Sequence, residues 1–90
     1  MSELIDACLL NNTKLVLNLI ENKANLDVQN KYGDTALMWS CANNNTEIAL
    51  KLIENKANID LQDNYGWTAL MWSCWNNTYI INYLLEYIDV

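Results

Sequence analysis

The chain repeats itself every 33 residues, and this period constrains its fold more than any other property of the sequence. Residues 25–44 overlie residues 58–77 without a gap and are identical at 14 of 20 positions. The block Thr35-Ala36-Leu37-Met38-Trp39-Ser40-Cys41 returns unchanged as Thr68-Ala69-Leu70-Met71-Trp72-Ser73-Cys74. In the other direction, Leu19 to Gly33 matches Leu52 to Gly66 at 11 of 15 positions, and Ser2, Leu4 and Cys8 stand 33 residues before Thr35, Leu37 and Cys41. Ninety residues are too few for two independent cores. The expectation is one domain over residues 1–90, with units of about 1–30, 31–63 and 64–90. Units this short bury their apolar faces only against one another, so the architecture is a stack.

Each unit carries the same signals. A hydroxyl residue (Ser2, Thr35, Thr68) suits a helix N-cap, and an Asn-rich break then stops the first helix: Asn11-Asn12, Asn43-Asn44-Asn45 or Asn76-Asn77. Asparagine tolerates left-handed backbone better than any residue but glycine, so it can end one helix and return the chain antiparallel. In the second helix Ile48, Ala49, Leu52 and Ile53 form one apolar stripe. Leu15, Val16, Leu19 and Ile20 repeat it, and so do Ile80, Ile81, Leu84 and Leu85 once one residue near Thr78 is dropped. Between units, Asn25 to Gly33 and Asn58 to Gly66 alternate apolar and polar residues and close on Tyr-Gly, which predicts an extended arm entering a tight turn.

Helix, Asn break, helix and protruding hairpin at a 33-residue period resemble the ankyrin repeat. The family's Asp-x-x-Gly-x-Thr-Pro-Leu-His-x-Ala stretch is matched by Asn30 to Ser40 and by Asp63 to Ser73. The resemblance implies an all-α repeat (an α-solenoid) of helix-turn-helix pairs linked by β-hairpin-like loops. It also implies work as an adaptor or scaffold binding a protein partner through a concave groove and the hairpin tips, and a place in the cytoplasm, a host's if the source is a virus. Three positions depart from the family: Ala36 and Ala69 replace its proline, Met38 and Met71 its histidine, and Lys23 and Lys56 its glycine at the helix end. The family's histidine ties one hairpin to the next by hydrogen bonds, which methionine is expected not to do, so more of the stability falls to packing.

Several function classes are disfavoured by composition. Five lysines face eleven acids for a formal charge of −6, with neither arginine nor histidine. This argues against nucleic acid and anionic membrane as partners. No run of 18 apolar residues occurs, and the start carries carboxylates where a signal peptide needs basic charge. Cys8, Cys41 and Cys74 share one repeat position, but stacked helices stand roughly 8–10 Å apart, too far for a disulfide. Without His or a Cys-x-x-Cys pair no metal or other cofactor is expected, and the three read as small core residues. Asp27, Asp34, Asp60 and Asp63 lack the partners of an acid–base site and read as solvated hairpin carboxylates that favour a basic or neutral partner.

The informative residues are aromatic. On the first helices Trp39 and Asn43, and Trp72, Trp75 and Asn76, share a face that Leu37 and Cys41 do not. With Lys31, Tyr32, Asp34, Asn64, Tyr65 and Trp67 at the tips they make a candidate partner-binding surface rich in the residues that dominate hot spots. The bland alternative, strongest for Trp39 and Trp72, is that the rings pack between repeats. A rival use lies in the last helix, where Tyr79, Tyr83 and Tyr87, spaced by four, form a stripe suited either to further repeats of a longer parent or to a homodimer. The first unit, with Glu3, Asp6, Lys14 and Asn18, reads as a polar cap.

Overall fold

The computed structural model describes residues 3–76 and 79–87. Ser2, Asn77, Thr78 and Ile88, and the side chain of Asn76, on which parts of the reading above depend, lie outside the described residues. Six helices follow one another: α1 (Glu3–Leu9), α2 (Thr13–Glu21), α3 (Ala36–Ala42), α4 (Thr46–Glu54), α5 (Ala69–Asn76) and α6 (Ile80–Tyr87). The described residues contain no strand, so the linking hairpins are held by turn hydrogen bonds and by bonds from one hairpin to the next and not by a sheet ladder. None of the described helices is long and apolar enough to cross a membrane.

Sequential helices pair, α1 with α2, α3 with α4 and α5 with α6, and the pairs stack in two rows, α1–α3–α5 and α2–α4–α6. The central unit shows why. Its stripe of Ile48, Ala49, Leu52 and Ile53 is wholly buried, together with Leu37, Met38 and Cys41 of α3. At the ends the same positions open. In α2 only Val16 is buried while Leu15, Leu19 and Ile20 are half-buried, and in α6 Leu85 is 55% exposed although its counterpart Ile53 is 2% exposed. Glu3, Lys14 and Asn18 lie exposed on the first unit, as a polar cap requires.

Helix ends follow one scheme. Asn12, Thr35 and Asn45 accept the amides of Leu15, Met38 and Ile48 as N-caps. At the C-terminal ends Asn11, Lys23, Asn44 and Lys56 all take left-handed backbone, with φ of 55, 64, 56 and 72°. This folds two amides back onto last-turn carbonyls, as when Lys56 N–H reaches the Ile53 oxygen and Ala57 N–H the Leu52 oxygen. Asparagine bears that conformation lightly, whereas for lysine it costs roughly 1–2 kcal/mol, partly offset in glycine by unfolded-state entropy. Lys56→Gly is therefore expected to stabilise the chain by ~0.5–1 kcal/mol in urea unfolding. A destabilised Lys56→Gly protein would mean that the lysine stem contributes packing beyond its backbone role.

One expectation is corrected. Cys8 and Cys41 are buried, and burial pushes each thiol up to about 12, but Cys74 is exposed, as is Met71 at 47% against 2% for Met38. Residues of α5 occupy positions that the earlier units bury against a successor. The Met38 Sδ accepts the Thr35 amide at 3.4 Å and completes a capping box within α3, a bond inside its own unit and not between hairpins. Ties between hairpins do exist, but they are made by other residues. Gln29 Nε2, which also donates to Gly33 O in its own hairpin at 2.8 Å, donates to the Gln62 oxygen of the next at 2.9 Å, and Asn58 N–H donates to Asp27 Oδ1 at 2.7 Å.

Candidate protein-binding face

Two tight turns carry the tips, and each is organised by a residue at one repeat position. Asn30 Oδ1 accepts the amides of Tyr32 and Asp34 at 2.9 and 3.0 Å, and Asp63 Oδ1 accepts those of Tyr65 and Trp67, both at 2.9 Å. An Asx side chain of this kind stands in for backbone turn bonds. Gly33 and Gly66 close the turns at φ +79 and +81°. The tips then dock on one another, because Asn64 N–H donates to the Tyr32 oxygen and Asn64 Nδ2 to the Lys31 oxygen. Asn43 bridges similarly: its Nδ2 donates to the Cys8 oxygen of the preceding unit. Both asparagines, singled out as partner-binding, have their amides committed to holding repeats in register.

Asp63 departs most from the sequence reading. Instead of a solvated hairpin carboxylate it is buried, 6% exposed. Its second oxygen accepts the indole N–H of Trp72 at 3.2 Å. That bond ties α5 to the tip and places the rings. Trp67 lies 4.8 Å from Trp72 and 6.0 Å from Trp75 between ring centroids, tilted by 52 and 59°, within the range preferred by interacting aromatics. Trp75 is 73% exposed, Tyr65 85% and Tyr32 55%, with Lys31 Nζ 5.2 Å from the Tyr32 ring centroid. Trp39 and Trp72 are half-buried and packed on the core, so the bland reading of these two holds in part. Tyr79, just before α6, and Tyr87 at its end are exposed, whereas Tyr83 packs on the core and interrupts the stripe.

The two tips are chemically unlike. Asn30 and Asp34 of one correspond to Asp63 and Trp67 of the other. A carboxylate has acceptors on both oxygens, so Asp63 serves its turn and Trp72 at once. Asn30 has one oxygen, given to its turn, and its side chain hydrogen-bonds the Asp34 carboxyl. The buried indole N–H of Trp39 is left without a partner among the described residues. Asp63→Asn is accordingly expected to cost ~1–3 kcal/mol, since its single oxygen cannot satisfy both the turn amides and the indole. Urea unfolding with Trp emission checks this. A loss below about 0.5 kcal/mol, the scale of an ordinary surface change, would show that the carboxylate does not hold the cluster.

Asp34 has its pKa raised by burial and by the nearby Asp63 charge, against the lowering hydrogen bond from Asn30. The folded chain thus holds this proton more tightly than the unfolded chain. Stability from this group falls as pH rises from the ordinary carboxylate value of 3.8 through the raised folded value, and the charge remains unfavourable above that window. Asp34→Asn is expected to be more stable than wild type at neutral pH, the gap closing below pH 3.8. An equal gap at all pH values would contradict an electrostatic origin.

Comparison with known proteins agrees with this architecture. A sequence model of ankyrin repeats in three copies matches residues 4–90. No curated protein matches at a significant level. Among solved structures, the human ASB11 ankyrin repeat domain superposes with a TM-score of 0.88 at 24% identity, covering 97% of this chain and 40% of that one. A chain in the structure of a predatory endopeptidase from Bdellovibrio bacteriovorus in complex with an immunity protein gives 0.84 at 30% identity, covering 96% and 46%. The chain spans less than half the length of either of these.

Proposed function

Since the chain belongs to the ankyrin-repeat family, whose repeats are generally protein–protein interaction modules, we propose that it is an adaptor or scaffold holding a protein partner across its tips and the adjoining face of α3 and α5. The observation that carries this reading is the aromatic cluster. Trp75 and Tyr65 are largely exposed beside Trp67 and Trp72, while a buried carboxylate holds the cluster in place. Exposed rings with fixed positions bury large area at small entropic cost, which is how hot spots work. The neighbour that comes from an endopeptidase–immunity protein complex accords with a binding role. The reading assigns the chain no catalysis, and it expects action in the cytoplasm and no part for nucleic acid.

The test is affinity capture with wild type and the Trp67→Ala/Trp75→Ala double variant as paired baits. A protein retained by wild type and lost from a variant of unchanged far-UV dichroism supports the reading. Equal retention by both baits overturns it. The exposure of Tyr79, Leu85 and Tyr87 favours a second reading, self-assembly through α6. Sedimentation decides between them, because a monomer at micromolar concentration removes assembly and a tight dimer dispersed by Tyr79→Ala/Tyr87→Ala establishes it.

A further inference from the structure

The same face holds a slot. It encloses about 90 Å³ between Asp34, Met38, Trp39, Ala42 and Trp72. Small-molecule sites run to roughly 300–1,000 Å³, and a single water needs about 10–15 Å³. The slot is therefore of a size for one side chain and not for a free ligand. Its walls are aromatic and aliphatic, and its titratable lining group is a carboxylate. No cation neutralises that carboxylate: the one ion pair recorded among the described residues joins Lys51 to Glu54 on α4. The charge that raises the Asp34 pKa is another carboxylate, Asp63, in a chain of net charge −6.

We propose that this slot receives an arginine side chain of the protein partner, with its stem along Met38 and Ala42, its guanidinium between the indoles of Trp39 and Trp72, and Asp34 closing on the charge. This rests on the groove reading and names the chemistry the groove selects. Guanidinium is the cation suited to the site, because it is planar, weakly hydrated, stacks on indole and bonds carboxylate in a fork. An uncompensated acid beside two half-buried tryptophans is unfavourable for the free chain and favourable once a cation arrives.

The test uses the intact chain with ¹⁵N-labelled indoles, titrated at low salt with acetyl-Gly-Arg-Gly-amide and with its citrulline and lysine counterparts. The Trp39 and Trp72 indole signals are expected to shift saturably with the arginine probe, with a Kd on the order of 1 mM. Asp34→Asn, which keeps the fold, is expected to weaken this about tenfold, and the uncharged citrulline probe to leave the signals in place. Equal shifts with citrulline, an unchanged Asp34→Asn protein or a lysine probe as tight as arginine overturns the proposal. Its failure is separable from that of the groove reading. Capture lost with Trp67→Ala/Trp75→Ala but no arginine response sinks only the slot, whereas an arginine response with no captured partner sinks only the adaptor role.

Discussion

Leu52→Asp is expected to give a chain with no cooperative unfolding transition, while Leu85→Asp, at the position of α6 that corresponds to Ile53, is expected to fold. Leu52 is wholly buried at the middle of α4, which packs on α2, α3 and α6. Removing its side chain alone costs about 2–5 kcal/mol, and a buried unpaired carboxylate adds several more. A chain of this size has only about 5–15 kcal/mol to lose. The central unit also forms both inter-unit interfaces, so its loss strands the units on either side. Leu85 is 55% exposed, and its change is expected to stay within about 0.5–1 kcal/mol. Far-UV dichroism through a urea titration reads both. A cooperative transition in Leu52→Asp would overturn the register of the stack.

Gly33→Ala and Gly66→Ala are expected to differ by roughly 2 kcal/mol or more, although both glycines hold nearly the same φ. A Cβ on Gly66 meets nothing within 4 Å. On Gly33 it would stand 2.9 Å from both Asn64 N and Asp63 Cα. Those are backbone atoms of the next tip, which cannot yield without breaking the Asn64 bonds to Tyr32 and Lys31. Gly66→Ala thus carries only the left-handed strain of about 1–2 kcal/mol. Gly33→Ala adds the separation of the tips and misplaces Asp63 beneath the tryptophans. Equal losses in urea unfolding would contradict the tip-to-tip contact.

The contrast between these glycines marks what the sequence could and could not tell. Their need for positive φ is local and legible in each Tyr-Gly turn, as are the caps and the stripe of Ile48, Ala49, Leu52 and Ile53. Repeat equivalence goes wrong where it assumes a neighbour on both sides. It placed Cys74 in the core alongside Cys8 and Cys41, yet α5 has no described successor stacked on it. Contacts 31 to 35 residues apart, such as Gln29 to Gln62, Asn64 to Lys31 and Asn43 to Cys8, leave no local pattern, so the role of Asn43 and Asn64 as ties between units was not legible.

Asp63 was the costliest misreading. A carboxylate on a hairpin is usually solvated, and its burial follows only once Trp72 is brought over it. A signal was present in the exchange of Asn30 for Asp63 together with Asp34 for Trp67, at positions where a single Asx oxygen already serves the turn. The aromatic face itself was visible as a set of residues. Its division into half-buried Trp39 and Trp72, clustered Trp67 and open Trp75 depends on tertiary packing.

The measurement that bears most directly on the binding face is photo-crosslinking from its most exposed tryptophan. A chain carrying Trp75→p-benzoylphenylalanine is irradiated in lysate beside one carrying the same group at Lys51, exposed on α4. A discrete heterologous adduct from position 75 and none from position 51 is the expected result. The same adduct from both positions, or adducts only between copies of the chain, would contradict a partner held at the tryptophan face.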